Sequence, residues 1–209
     1  EKHEKLSEKR QKALDDAQNI TPVLPAWVAG CVNEVKSDNT ILVNELGTNI
    51  DHLNHTSPGC YVSVGQAGGL GSGLGSALGA KLASRNRDVI LMVGDGSYIF
   101  GNPTAAHFVG RSENLATLTL ILNNNMWFAV QRSTRTMYPD GLAVKANRMP
   151  LTELAPSPDF EKTIEACGGY GERVEDPGKL KNALQRGIEK VRDGQSVLLN
   201  VITQPGGRD

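Results

Sequence analysis

Short runs of β-branched and aliphatic residues alternate with helix-like segments along this chain, and this alternation constrains the fold more than any other feature. The apolar runs cover residues 40–46, 89–93, 118–122 and 197–202, with a weaker run near 172–175. They are continuous rather than interrupted by polar residues at every second position, as expected of strands covered on both faces. Helical spacing occurs between the runs, at residues 26–35, 73–84, 104–109, 158–166 and 177–191.

Strands that alternate with helices predict an α/β fold, with a doubly wound, mostly parallel sheet and helices on both of its faces. In the last predicted helix, Asp176 is the expected N-cap and Pro177 the first helical residue. Residues 131–157 are rich in Pro, Asn, Arg and Met without a clear period. We expect them to form an irregular excursion over the ligand-binding rim of the sheet.

The chain has 209 residues, which suits one such domain. Residues 1–20 are highly charged and predict a linker helix, so we place the folded domain at residues 21–209. The formal net charge of −1 gives no electrostatic attraction to nucleic acid or to an anionic membrane. Three cysteines without a CxxC pair favour reduced thiols, and we therefore expect a cytoplasmic protein.

Two predicted strands are followed directly by side chains that carry oxygen. The sequence GDGS occupies residues 94–97, after the run 89–93, and NNN occupies residues 123–125, after the run 118–122. Because the carboxyl ends of parallel strands lie on one rim, Asp95 and an asparagine of the triplet can meet around one cation. Mg²⁺ takes hard oxygen ligands and often only one or two carboxylates. One carboxylate and one neutral amide leave the Mg²⁺ ion with surplus positive charge, which a diphosphate can neutralise.

The glycines of the first motif have a separate predicted role. Gly94 and Gly96 allow the backbone to bend and to approach a phosphate closely, and the amides near Ser97 lie where a helix would begin. Each motif alone is an ordinary turn or polar loop. The two motifs together, in this order and on these elements, predict a site for a metal and a phosphate.

This pair of motifs resembles the signature of the thiamine-diphosphate-dependent enzymes, which is Gly-Asp-Gly, somewhat under thirty residues, and then Asn-Asn. The resemblance implies that the chain is the C-terminal, diphosphate-binding domain of such an enzyme, with the thiamine-diphosphate-binding fold. Asp95 and Asn124 would be the side-chain ligands of Mg²⁺, and the carbonyl of Met126 the third protein ligand. Gly94, Gly96 and Ser97 would contact the diphosphate.

The glycine-rich stretch at residues 65–83 supports the resemblance and is similar to the acetolactate-synthase-like branch. There the corresponding stretch lies against the rings of the cofactor. The resemblance places Leu70 as the apolar wedge that bends the cofactor, and the carbonyl of Gly68 as a hydrogen-bond acceptor for its aminopyrimidine. Phe128 stands where many relatives have glycine.

The resemblance further implies an enzyme that makes or breaks a carbon–carbon bond next to the carbonyl of a small 2-oxo acid or acyl donor. Acetolactate synthase, 2-oxoacid decarboxylase and hydroxyacyl-CoA lyase share these motifs. The glutamate that activates the cofactor belongs to a pyrimidine-binding domain, contributed through a homodimer or tetramer, so we expect no catalytic residue in this chain and no turnover from it alone. It would be part of a larger polypeptide or a separate subunit. We interpret Glu45 as a rim or helix-capping carboxylate rather than that glutamate.

Two alternatives remain open from the residues. The glycine cluster is also compatible with a nucleotide-binding oxidoreductase domain, although the acidic residue expected about 20 positions later is then Asp88 or Asp95. A non-catalytic relative could also keep the fold for subunit contacts. His52 and His55 form an HxxH pair that we interpret as surface residues. His107, Trp127, Gln131 and Tyr138 follow the motifs and are predicted near the mouth of the active site, although core packing is the default interpretation of His107 and Trp127.

Overall fold

The computed structural model describes residues 11–12, 14–47, 50–55, 57–63 and 69–205. Within these ranges the strands are β1 Ile41–Glu45, β2 Tyr61–Ser63, β3 Val89–Gly94, β4 Leu118–Asn123, β5 Tyr170–Val174 and β6 Val197–Ile202. The helices are α1 Pro25–Val35, α2 Ser72–Ala83, α3 Asp95–Phe100, α4 Pro103–Ser112, α5 Phe128–Met137, α6 Leu142–Lys145, α7 Phe160–Glu165 and α8 Pro177–Arg192, with a 3-10 turn at Ile50–His52.

The six strands form one sheet in the order β2-β1-β3-β4-β6-β5, and every pairing is parallel. Successive side chains of β3 enter opposite cores: Ile90 and Met92 join the cluster that includes residues of α1 and α8. Leu91 and Val93 join the cluster on the other face, which includes residues of α2, α3 and α7. The predicted α/β class and the doubly wound parallel sheet are therefore confirmed.

The five predicted strands are present, but the edge strand β2 was not predicted. It has three residues and is only partly buried, so it lacks a long apolar run. The prediction of an irregular excursion at residues 131–157 was wrong in part, because residues 131–137 belong to α5 and Leu142–Lys145 form α6. Gln131 is the buried residue of α5. A helix whose single buried position is polar shows no apolar period.

The motif GDGS also begins a helix that was not predicted as a separate element. Helix α3 covers Asp95–Phe100 and ends before Asn102, whose φ of 48° lies in the left-handed region and separates α3 from α4. The predicted N-cap of the last helix is confirmed, since Asp176 Oδ1 accepts a hydrogen bond of 2.9 Å from the Gly178 N–H.

The predicted linker helix is described only in part, because residues 1–10 and 13 lie outside the described residues. Residues 11–12 and 14–17 are helical. Leu14 packs against α1 at Gly30, and Ala17 is fully buried, so this segment is attached to the domain. In the described part of the chain, no helix combines the length and apolar character that crossing a membrane requires.

Candidate functional site

The carboxyl ends of three neighbouring strands, β3, β4 and β6, meet at one cavity of about 610 Å³. Gly94 pairs with Leu122, and Asn123 pairs with Ile202, so the next residue of each strand lies at the same rim. These next residues are Asp95, Asn124 and Thr203, and all three line the cavity. The predicted convergence of two strand ends is therefore observed, with a third strand added.

The structure brings the sequence-predicted site residues together around this cavity. The residues of the prediction that line it are Leu70, Gly94, Asp95, Gly96, Ser97, Asn124 and Met126. Gly68 lies outside the described residues, so its predicted contact with the cofactor stays a prediction.

Asp95 is the buried acidic group of the site. It is 3% exposed, and its Oδ1 accepts a hydrogen bond of 2.9 Å from the Gly96 N–H. Its Oδ2 is shielded from solvent and has no hydrogen-bond partner among the described residues. Burial raises the pKa of this carboxyl to about 6, although neighbouring backbone N–H groups act in the opposite direction. A bare carboxylate oxygen in such a place is costly, and a hard cation would supply the missing partner.

A tight turn after β4 presents Asn124 to the cavity. Asn125 has a φ of 57°, and its N–H is bound by Asn123 Oδ1 at 3.1 Å. Asn124 Oδ1 accepts the Met126 N–H at 3.1 Å and keeps a second lone pair for another partner. Asn123 itself is fully buried and donates to Asn200 Oδ1 at 3.0 Å, so it fixes the turn rather than a ligand. The donor set of one carboxylate and one amide oxygen fits Mg²⁺.

The two glycines of the GDGS motif have roles other than the predicted sharp bend. Gly94 has an extended φ of −71°, which any residue can adopt. Gly96 is needed for space, because a Cβ at this position would lie 2.6 Å from Cε3 of Trp127. Helix α3 starts at Asp95 without a side-chain cap from Gly94, and its first three residues, Asp95, Gly96 and Ser97, line the cavity.

Glu45, at the end of β1, caps the amino terminus of α2. Its two carboxylate oxygens accept hydrogen bonds from the Gly71 N–H at 2.5 Å and the Gly73 N–H at 2.6 Å, and it is 1% exposed. The interpretation of Glu45 as a helix-capping carboxylate is confirmed. A side chain on residue 73 would collide with this carboxylate, since its Cβ would lie 2.6 Å from Oε2.

Of the four side chains predicted near the mouth, only Trp127 lines the cavity. His107 is buried and its Nε2 lies 2.7 Å from the Tyr98 hydroxyl, in the core between α3 and α4. Gln131 donates to Thr152 beside a second cavity, and Tyr138 is 66% exposed, so neither belongs to the site. Core packing, the default interpretation of His107, is therefore confirmed. The prediction was wrong for Gln131 and Tyr138, because sequence proximity to the motifs does not fix the direction of a side chain.

The HxxH pair is divided between two environments. His52 lines the cavity, and the ring of exposed His55 packs against Tyr61 with 5.0 Å between centroids. The described residues contain no group of three or more His, Cys, Asp or Glu that could hold a metal ion. Further residues that line the cavity were not predicted: Leu24, Pro25, Ala26, Leu46, Gly47, Ala129, Val130, Arg132, Thr203, Gln204 and Pro205. The position of Thr203 directly after a strand was the one available signal.

Comparison with known proteins agrees with this geometry. The family model described as "Thiamine pyrophosphate enzyme, C-terminal TPP binding domain" matches residues 47–201. The acetolactate synthase large subunit IlvG of Mycobacterium tuberculosis is 36% identical over 148 residues, which are 71% of this chain and 25% of that protein. The 2-hydroxyacyl-CoA lyase 2 of Danio rerio is 25% identical over 203 residues, or 94% of this chain and 31% of that protein.

A solved structure shows the same architecture. The thiamine diphosphate-dependent 4-hydroxybenzoylformate decarboxylase of Rhodococcus jostii RHA1 superposes with a TM-score of 0.72 and 26% identity, covering 87% of this chain and 33% of that chain. The chain thus spans about a quarter to a third of the length of these relatives. The family's cofactor is thiamine diphosphate, used with Mg²⁺. The chain belongs to the thiamine pyrophosphate enzyme family, through the C-terminal TPP-binding domain.

Proposed function

We propose that the rim of β3 and β4 holds one Mg²⁺ ion and, through it, the diphosphate of thiamine diphosphate. Asp95 Oδ2 and the side-chain oxygen of Asn124 would be ligands, with the backbone carbonyl of Met126 as the third. The observation that carries this proposal is the buried Asp95 oxygen without a partner among the described residues, in a cavity that Asn124 and Met126 also line. One negative ligand leaves the ion a net positive charge for the diphosphate.

The start of α3 supports the diphosphate half of the proposal. Ser97 belongs to the first turn of this helix, where backbone N–H groups have no carbonyl partner within the helix, whereas the Gly96 N–H already donates to Asp95 Oδ1. Such groups attract anions, and Ser97 adds a hydroxyl that lines the same cavity. Leu70 lies on the wall of the cavity and would contact the rings of the cofactor, next to Gly68. The site thus offers a charged end and an apolar wall.

We propose that the whole protein makes or breaks a carbon–carbon bond next to a carbonyl, on a 2-oxo acid or an acyl donor, as an acetolactate-synthase-like enzyme. When bound, thiamine diphosphate supplies the carbon nucleophile and the electron sink for this chemistry. The residues of this chain hold and orient it. Glu45 is occupied with the α2 amino terminus, so the carboxylate that activates the cofactor would come from a pyrimidine-binding domain, through a homodimer or tetramer. The 209 residues alone would then show no turnover.

Calorimetric titration of the chain with thiamine diphosphate, with and without Mg²⁺, tests the metal and cofactor site. We expect binding that requires Mg²⁺ and that Asp95→Asn weakens at least about 10-fold, the loss caused even by an outer partner of a metal. The exposed Asp140→Asn variant removes the same charge away from the cavity and should bind like the wild type. Thiamine diphosphate binding that does not require Mg²⁺ and is not weakened by Asp95→Asn would refute the proposed site.

A further inference from the structure

A chain of hydrogen bonds connects helix α7 to the turn after β4. Glu161 Oε2 on α7 accepts a hydrogen bond of 2.8 Å from Asn200 Nδ2 on β6. Asn200 Oδ1 accepts one of 3.0 Å from Asn123 Nδ2, and Asn123 Oδ1 accepts the Asn125 N–H at 3.1 Å. Asn123 and Asn200 are both fully buried. The chain of hydrogen bonds therefore ends in the turn that presents Asn124, one of the proposed Mg²⁺ ligands.

The sheet register places the two asparagines on the α7 face. Asn200 pairs with Ile121, and Asn123 follows two residues after Ile121, so the side chains of both asparagines lie on one face of the sheet. Ile121 belongs to the same apolar cluster as Phe160 and Ile164 of α7. A side-chain amide in such a layer is costly unless its hydrogen bonds are made. The loss of one partner should therefore disturb the rest of the chain of hydrogen bonds.

The carboxylate of Glu161 sets the direction of these hydrogen bonds. A carboxylate only accepts, so it requires the NH₂ group of Asn200 on its side and leaves the Asn200 oxygen for Asn123. That oxygen in turn requires the NH₂ group of Asn123, whose second hydrogen goes to Ser157 Oγ at 2.8 Å. The oxygen of Asn123 is thereby directed to the Asn125 N–H.

The turn needs the oxygen of Asn123 in this orientation. The φ of 57° at Asn125 lies in the left-handed region, which costs free energy for a residue other than glycine. A flipped Asn123 amide would bring two donors together at the Asn125 N–H and would remove a bond that stabilises the turn. The Asn124 side chain, which accepts the Met126 N–H at 3.1 Å, would then lose its fixed position at the cavity.

We propose that Glu161 and Asn200 are positioning residues for the metal site: they orient Asn123 and, through it, the turn that carries Asn124 and Met126. The inference rests on the proposed function, because it concerns the same Mg²⁺ ion. Glu161 and Asn200 do not line the cavity, so they act through Asn123 and contact neither the ion nor the cofactor. Hydrogen-bond partners at this distance from a metal orient its ligands.

Amide hydrogen exchange of the metal-free chain, followed by ¹H–¹⁵N NMR, tests the turn without the cofactor. The exchange rate of the Asn125 amide is compared with that of the buried Leu120 amide of β4, which reports global unfolding. Glu161→Leu should raise this ratio roughly 3- to 10-fold, as expected for one lost hydrogen bond. Glu161→Gln keeps an acceptor for Asn200 and should stay within about 2-fold of the wild type. Glu165→Leu, at an exposed position of the same helix, is the matched control.

Calorimetric titration with thiamine diphosphate and Mg²⁺ is the second readout. Glu161→Leu should weaken Mg²⁺-dependent binding by about 3- to 10-fold. Glu161→Gln should restore it, and Glu165→Leu should bind like the wild type. Asn200→Leu should reproduce both effects of Glu161→Leu. If Asn200→Leu does not fold, the Glu161 variants decide the matter, because Glu161 is only half-buried.

The inference requires faster exchange at Asn125 together with weaker binding in Glu161→Leu, and either effect alone would overturn it. A loss of global stability with unchanged exchange ratio and unchanged binding would overturn it as well, because that is the result expected of a purely structural network. A wild-type chain without Mg²⁺-dependent binding would refute the proposed metal site instead. The exchange ratio of Asn125 would then still decide whether Glu161 orders the turn.

Discussion

The indole ring of Trp127 occupies the space that a side chain at Gly96 would need, so the turn after β4 and the first turn of α3 fit together only with glycine at position 96. Trp127 follows Met126 directly, and Gly96 follows Asp95, so this contact sets the spacing between the two halves of the proposed metal site. The packing of Trp127 against Gly96 therefore helps to hold the proposed ligands Asp95 and Met126 at a fixed distance from each other.

Gly96→Ala should therefore displace the Trp127 ring and lower the free energy of unfolding by about 1–3 kcal/mol, the usual cost of overpacking. Tryptophan fluorescence should change as well, since Trp127 is one of two tryptophans. Urea unfolding followed by fluorescence measures both effects. Gly79→Ala is the control: nothing lies within 4 Å of its added Cβ, and it should gain about 0.5–1 kcal/mol from helix propensity. Equal stability of the two variants would contradict the packing argument.

Glu45→Ala should lower the free energy of unfolding by about 2–3 kcal/mol, because one buried and one half-buried N–H group at the start of α2 lose their acceptor. Glu45→Gln keeps one acceptor oxygen and should lose less. Chemical denaturation of both variants, with wild type beside them, gives the comparison. An unchanged stability in Glu45→Ala would show that the carboxylate has a role other than capping.

Asp95→Ala should stabilise the chain in the absence of metal while it abolishes Mg²⁺-dependent binding. The variant removes a buried carboxylate that lacks one partner among the described residues, at the loss of one hydrogen bond from Gly96. We expect a gain of roughly 1–2 kcal/mol near neutral pH in the presence of a chelator. Thermal unfolding with EDTA measures it. A clear destabilisation would mean that Asp95 is a structural residue.

His107 should make the stability depend on pH in mildly acidic solution. Burial lowers the pKa of His107 from 6.5 to about 4. The Thr163 hydroxyl donates to the Phe160 carbonyl, so it accepts the hydrogen bond from the Tyr98 hydroxyl. The Tyr98 oxygen therefore accepts from the Nε2–H of neutral His107. The unfolded chain takes up a proton below pH 6.5, whereas the folded chain does so only near pH 4. Stability is therefore lost through His107 as the pH falls across this window.

His107→Gln keeps a donor for Tyr98 but cannot titrate, so its stability should fall less steeply than that of the wild type between these pH values. Because the pKa of Asp95 is raised, protonation of Asp95 stabilises the folded chain as the pH falls. This contribution is the same in wild type and His107→Gln, so it cancels when their slopes are compared. Urea unfolding across the window measures the two slopes, and exposed His55→Gln should follow the wild type. Identical slopes for His107→Gln and wild type would refute the assignment.

The sequence predicted that Asp95 and Asn124 lie close together, because their positions follow directly from the order of strands along the chain. Asp95 and Asn124 each follow a buried strand directly, and parallel strands carry such residues to one rim. Thr203 was missed although it also follows a strand, because a threonine after a strand is common and only the fold shows that it is buried, with no hydrogen-bond partner for its hydroxyl among the described residues. The fit of Gly96 to Trp127 depends on the path of the turn at Asn125, which the sequence does not show. Helix α5 was not predicted because its sequence lacks an apolar period.

Anomalous X-ray scattering from crystals grown with Mn²⁺ and thiamine diphosphate tests the central claim most directly, since Mn²⁺ takes the place of Mg²⁺ and is visible at its absorption edge. We predict one strong peak within about 2.5 Å of both Asp95 Oδ2 and the side-chain oxygen of Asn124, next to the diphosphate. A cofactor bound with no peak between these two side chains, or with the metal elsewhere, would contradict it.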